Sequence, residues 1–437
     1  MKTKHHLNHL KLALIIGSIA LPLITQGGQH ARYKLVDLGT FGGPSSSMFG
    51  FYEQMINNQG TAIGVADTSA PDPNCFSASC FVQHAFQWDK GVLTDLGTLT
   101  GGGSSAALYI NDRGQIVGGS QNGLIDPVTG APAFSAVLWE KGELVNLGTL
   151  GGNQSIALVL NNRGQVIGVS ANDIADPFSL FGLGTQSRAF LWEDGVMRDL
   201  GTLGGPDSIP QSINERGQVA GISYTDSTPN ETTGIPTLHA FLWEEGRMLD
   251  LGNLGGASAD VFKLNNCGQV VGSMTLPGDE FQHPFLCDRG TLVDLGTLGG
   301  NNGFAVWLNE AGAVVGEADL PGDGLHNAFL WKYGVMTDLG NLGQTSSAHS
   351  INSRGQVVGA SRVSFETGEI RAFLWEHGGP MIDLNSQVPG DSTLKLVYAL
   401  SINDRGEIFG LGTPPGVSVE DRFARGHAFL LIPIGGE

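Results

Sequence analysis

Four histidines head one recurring apolar pattern: HAFQW from His84, HAFLW from His239, HPFLC from His283 and HAFLL from His427. Histidines repeated at one place can ring a metal ion, because a neutral imidazole nitrogen is a common ligand. The other copies argue against that, since Ser135, Arg188, Asn327 and Arg371 fill the same place. So irregular a set cannot converge on one ion. We read these residues as hydrogen-bonding strand starts and expect no metal site from them. A second pattern, DLGT and its relatives, puts Asp37, Asp95, Asp199, Asp250, Asp294, Asp338 and Asp383 at one position, with Asn146 in the remaining copy. One catalytic carboxylate does not need near-identical copies, whereas Asp before Gly caps a turn. The residue three places on is Thr40, Thr98, Thr149, Thr202, Asn253, Thr297 or Asn341. These seven are the candidate ligand surface, expected to ring a channel mouth.

Residues that break the repeat are the better place to look for chemistry. Tyr109, Lys263, Trp307 and His349 are the weak candidates for a catalytic pocket. No G-x-S-x-G nucleophile elbow is present, and GTLGG lacks the Lys-Ser/Thr of a phosphate loop. The segments between the second and third strand of each copy hold 15 Asp and Glu, three Arg and no Lys. Much of the formal charge of −19 therefore lies there. Pairs such as Asp279-Glu280 and Asp319 with Asp323 make a divalent cation an alternative ligand of this acidic rim, although none has calcium-loop spacing. We read the acids as a solvated surface. No basic face exists to bind nucleic acid.

What must position these residues is a repeat of about 40–50 residues. Its first landmark is an N-x-x-G turn, from NNQG at Asn57 to NDRG at Asn403, eight times in all. Asn caps its own backbone there and Gly takes the left-handed position. A β-branched run follows, closed by a Gly in every copy, which predicts close approach of another backbone or a large side chain. The AFLW and DLG runs, joined by turns such as Glu193-Asp194-Gly195, form a second hairpin. Four antiparallel strands per copy are the size of a propeller blade. The ends of the chain predict closure. Tyr33–Leu38 reads as a fourth strand without a third, and His427–Ile432 as a third without a fourth. Pairing them completes one blade and leaves no open edge. The expected fold is thus all-β, an eight-bladed propeller of four-stranded antiparallel blades, forming one domain over residues 32–437.

Residues 1–27 read as a signal peptide: Lys2, Lys4 and Lys11 precede an apolar run from Leu12 to Ile24, too short for a membrane span. Export makes disulfides readable. Cys75–Cys80 would staple the long insertion of the first blade. Cys267 replaces an arginine (Arg113, Arg163, Arg216, Arg354, Arg405) and Cys287 replaces a tryptophan present in six copies. We expect that Arg and Trp to stack, a cation–π contact of ~0.5–2 kcal/mol, and a Cys267–Cys287 disulfide to replace the stack in the fifth blade.

With its HAFLW and DLGTLGG landmarks in order, the chain resembles the bacterial HAF-repeat extracellular proteins, named for the His-Ala-Phe seen at His84, His239 and His427. The resemblance covers nearly everything after the signal segment. It implies an exported, propeller-like repeat protein and supplies no activity. It departs at HPFLC from His283 and where the last DLG becomes DLNSQVPG. The sequence therefore favours a secreted, periplasmic or surface-displayed monomer without a cofactor. It would bind a glycan or protein ligand through the variable-loop face. The alternative is a propeller-fold lyase or hydrolase acting on extracellular polysaccharide.

Overall fold

The computed structural model describes residues 31–48, 54–75, 77–322 and 324–435. The signal segment and Asp323 lie outside the described residues. The chain forms eight four-stranded antiparallel sheets, and seven of them run in sequence order. Blade 5, for example, comprises Ala259–Leu264, Val270–Thr275, Gln282–Asp288 and Thr291–Asp294. The eighth combines Lys395–Ile402, Ile408–Thr413 and His427–Pro433 with Tyr33–Asp37 from the other end of the chain. Tyr33 pairs with Pro433 and Asp37 with Phe429. The ring closes through strand exchange, as the unmatched terminal strands predict.

First strands of neighbouring blades touch one another, whereas fourth strands such as Val196–Asp199 are largely exposed. First strands therefore line the centre and fourth strands the outer wall. The core lies in the seams, where one blade's sheet packs on the next; Phe86, Phe190, Phe241, Phe285, Phe329, Phe373 and Phe429 are fully buried. The closing glycine of each second strand has a steric cause. A Cβ on Gly221 would lie 2.1 Å from the Ile209 carbonyl oxygen and 2.8 Å from the Phe241 ring. Gly221 faces Phe241 across the sheet, beside a register shift in the first strand between Pro210 and Ser212. Backbone and aromatic ring both occupy the space of a side chain. In the 3–4 hairpins Asp194 and Gly195 have φ of 51° and 82°, the positive pair of a type I′ turn.

The N-x-x-G turns also tie the blades together. Each asparagine is buried. The Oδ1 of Asn214 accepts from the backbone N–H of Arg216 and of Gln218, both at 3.0 Å. Its Nδ2 donates to Gln218 Oε1 at 2.7 Å and to the backbone carbonyl of Asn265, in the next blade, at 3.0 Å. The interblade bond recurs from Asn57 through Asn403, and Asn403 returns it to Asn57. All eight distances lie between 2.9 and 3.3 Å. The result is a closed belt of eight side chain to backbone hydrogen bonds.

Candidate functional site

The histidine and aspartate positions meet each other instead of a ligand. Nδ1 of His84, His239, His283 and His427 lies 2.8–3.0 Å from Asp95, Asp250, Asp294 and Asp37. Arg188 and Arg371 pair in the same way with Asp199 and Asp383, and Asn327 donates to Asp338 at 2.9 Å. The copy with Ser135 is the one with Asn146, so charge leaves both positions together. The acidic residue also accepts from the N–H two residues on, as at Gly201 and Gly252. Both positions are structural, as strand-start bonding and turn capping require.

The seven Thr and Asn candidates are engaged close to their own turns. Oγ1 of Thr40, Thr98 and Thr297 donates to Gly43, Gly102 and Gly300 carbonyls. Thr149 and Thr202 accept from Gly151 and Gly204. Asn253 and Asn341 bond His239 and Asn327. Each hydroxyl or amide is used next to the outer strand that it follows, and none lines the two cavities at the asparagine-turn end of the channel.

Four residues that line the channel cavities stand two places before a turn asparagine, on the innermost strand: Tyr109, Lys263, Trp307 and Ser401. Three of the four repeat-breaking candidates, Tyr109, Lys263 and Trp307, stand there. Lys263 Nζ sits 4.0 Å from the Trp307 ring centroid and 5.4 Å from that of Tyr109. It donates to the Tyr109 hydroxyl at 3.4 Å, and that hydroxyl donates to Gln54 Oε1 at 3.1 Å. Tyr109 belongs to blade 2 and Lys263 to blade 5, so the contact crosses the channel. It divides the vestibule into cavities of about 180 and 170 Å³ that share Gln54, Asn58, Lys263 and Glu310. Burial pushes the Lys263 ammonium down to about 8, against the pull of Glu310, and pushes the Tyr109 phenol up. Around the rim Asp112, Glu215 and Glu310 accept from backbone N–H groups of the preceding blade. His349 is elsewhere: it is buried, its Nδ1 2.9 Å from the Ala399 carbonyl oxygen, and burial pushes its imidazole down.

On the opposite face the second and third strands of blades 2, 3 and 4 extend into long arms, Ile116–Ile125 with Pro132–Glu140, Val166–Ala175 with Thr185–Glu193, and Val219–Pro229 with Pro236–Glu244. They expose Leu124 (65%), Ile125 (63%), Val128, Ile174 (53%), Phe181 and Ile235. The acids of this face are partly turn acceptors. Asp279 accepts from Ala257 N–H and from Thr275 Oγ1, Asp319 from Asn302. Among the described residues no group of three or more His, Cys, Asp or Glu could hold a metal ion. Asp207 is fully buried and accepts from the N–H groups of Leu180 and Ser187. Burial, and the neighbouring Asp176, push its carboxyl up to about 7.

The cysteines divide. Cys75 and Cys80 form a disulfide. Cys267 and Cys287 remain separate thiols, the first exposed and the second buried, so the expected Cys267–Cys287 bridge is not formed. The reason also removes the Arg–Trp stack, which is absent among the described residues. The turn arginine reaches forward: Arg405 Nη1 donates to the Gln59 carbonyl of the next blade. The tryptophan packs backward: Trp139 Nε1 donates to Leu96 of the preceding blade. Cys267 and Cys287 take those divergent places.

No family model matches the chain, and no curated protein matches it. Among solved structures it is similar to the β-propeller domain of the Trilobed protease from Pyrococcus furiosus. That match has 10% identity and a TM-score of 0.45, and covers 77% of this chain and 98% of that one. The Pyrococcus horikoshii acylaminoacyl peptidase matches at 10% identity and TM-score 0.44, over 84% of this chain and 58% of that one. A Mycobacterium tuberculosis puromycin-hydrolyzing peptidase matches at 11% and 0.46, over 90% and 60%. At these values the likeness is one of fold and carries no argument about activity. No helix among the described residues is long and apolar enough to cross a membrane.

Proposed function

We propose that the protein is an exported HAF-type repeat propeller that binds a partner on its variable-loop face and does no chemistry of its own. The observation that carries this reading is the apolar surface on the arms of blades 2 to 4. Leu124, Ile125, Val128, Ile174, Phe181 and Ile235 are all exposed there. Clustered apolar side chains within a polar, acidic surround favour a protein partner over a glycan. The repeated His, Asp, Asn and Thr give no competing site, since their polar groups are spent on turns and belts. Export is supported by the basic and apolar leader and by the Cys75–Cys80 disulfide. The test is a photo-crosslinking side chain placed in the producing cell at Leu124 or Ile174, with outer-wall Val335 as the control. Adducts from the arms alone are expected. Adducts from neither arm site would refute the reading.

The second reading, an enzyme acting on extracellular polysaccharide, is favoured by one observation, the convergence of Lys263, Tyr109 and Trp307 with Glu310 in the channel. Polysaccharide depolymerisation by the wild type, lost in Lys263→Met, would replace the binding reading.

A further inference from the structure

The seam between blades 7 and 8 differs from the others in three ways at once. First, the position filled by tryptophan in six blades is Leu431 in blade 8. Leu431 faces Ile408 across the sheet as Trp375 faces Val357. In other blades the indole packs into the seam with the preceding blade, as Trp139 does. Leu431 is fully buried, and beside it a cavity of about 420 Å³ is lined by the next two residues, Ile432 and Pro433. Second, the next position is acidic in six blades, among them Glu193, Glu244 and Glu376, but here it is Ile432, which lines the cavity. Third, two consecutive turn arginines, Arg354 and Arg405, are joined by Arg32 from the closing strand.

The charges do not cancel. Arg32 pairs with Glu376 at 2.7 Å, and the other oxygen of Glu376 accepts from Gln356. Arg405 pairs with Glu407 at 2.9 Å, and the other oxygen of Glu407 accepts from Asn403. The Arg354 guanidinium makes no ion pair or hydrogen bond with the described residues. Three guanidiniums thus face two fully engaged carboxylates, which leaves one positive charge over. Tyr33, 2% exposed, lines the same cavity, and its hydroxyl has no hydrogen-bond partner among the described residues. A phenol hydroxyl that opens on the cavity beside an unpaired guanidinium is a donor set suited to an anionic acceptor.

We propose that this seam is an oxyanion site, in which Arg354 takes a sulfate or carboxylate group in a bidentate pair and the Tyr33 hydroxyl donates a further bond. Arg32 and Arg405 flank it and hold the potential positive within a chain of charge −19. The site is independent of the variable-loop face, and lies at the end of the blades that carries the asparagine turns.

Isothermal titration of the mature chain with sodium sulfate and with sodium glucuronate, at constant ionic strength, tests it. Saturable binding of at least one is expected. Tighter sulfate binding would mark an ester sulfate as the natural group, and tighter glucuronate a uronate. Arg354→Ala should weaken binding at least tenfold; Arg354 is exposed, so the fold does not depend on it. Arg354→Lys should recover only part, because ammonium cannot bind bidentately. Leu431→Trp restores the repeat residue and should fill the cavity, abolishing binding with every arginine in place. Absence of saturable binding by both anions, or an Arg354→Ala affinity within twofold of wild type, would overturn the proposal. If Leu431→Trp fails to fold by circular dichroism, the Arg354 variants decide alone.

Discussion

Replacing Asn214 by alanine should be among the most costly single changes of a polar residue in this protein. The side chain is 4% exposed and makes four hydrogen bonds. Its loss leaves two backbone N–H groups without partners in a buried turn and takes one of two donors from the Asn265 carbonyl, which keeps the Gly268 N–H. At about 1 kcal/mol per bond, and more where a buried group is stranded, the loss comes to about 4 kcal/mol. Two variants separate the components. In Asn214→Asp the acceptor oxygen that caps the turn is kept, but at neutral pH both donated bonds are lost. That isolates the belt and should cost about 2–3 kcal/mol. A protonated carboxyl can donate to the Asn265 carbonyl, so the new group's folded pKa lies above its unfolded value. The deficit of Asn214→Asp should therefore shrink as pH falls through that folded pKa. The second variant is Asn309→Ala. Asn309 lacks the donation to a side chain four residues on, since Ala313 stands there, and makes three bonds. It should cost about 1 kcal/mol less than Asn214→Ala. Urea unfolding followed by tryptophan fluorescence measures all three. An Asn214→Ala cost below about 1 kcal/mol, or equal costs at Asn214 and Asn309, would refute the belt as a source of stability.

Lys263 titrates near 8 in the fold against an ordinary 10.5, so the unfolded chain holds more protons between these values and wild-type stability rises with pH across that window. Lys263→Met should be more stable by about 1–2 kcal/mol at pH 7, discounting for the Trp307 contact, with the advantage gone by pH 10.5; melting temperatures that differ equally at both pH values would refute it. Asp207 has the opposite sign: raised to about 7 from 3.8, it makes the folded chain the better proton binder, so stability falls as pH rises between them. Asp176→Asn should relieve this, raising stability by about 1–3 kcal/mol at pH 7.5 and leaving pH 4 unchanged, and an equal gain at both would count against the shared burial as its cause.

The fold was legible because the three landmarks recur in fixed order, and because the lone strand at Tyr33 and the lone strand at His427 have no other partner. The belt was not read from the sequence, although a signal was there. A turn cap needs only an acceptor, which Asp or Ser supplies as well as Asn. The position is nevertheless Asn eight times and never Asp. Only a required N–H donor explains that, and its acceptor lies one blade away, at a distance set by the rotation between blades. The Cys267–Cys287 bridge failed for a related reason. Register placed both residues at one end of one blade, but register does not say which seam a side chain enters. The turn residue enters the seam ahead and the strand residue the seam behind.

The same geometry explains where this scaffold has room for function. Apart from the turn arginine, a polar residue that recurs in most blades is engaged by its own turn, its neighbouring strand or the next blade. It cannot bind a ligand without loosening a bond that the ring repeats around its whole circumference. A ligand must therefore meet residues outside the repeat, or a turn arginine that such residues adjoin. Three places meet that condition: the channel position occupied by Tyr109, Lys263 and Trp307, the arms of blades 2 to 4, and the closing seam at Leu431. The third follows from closure itself. Strand exchange puts Arg32 and Tyr33 where other blades have only a hairpin turn, and frees Leu431 and Ile432 from the pattern. The device that removes the sheet edge thus also brings a third guanidinium, Arg32, to the cavity beside Arg354.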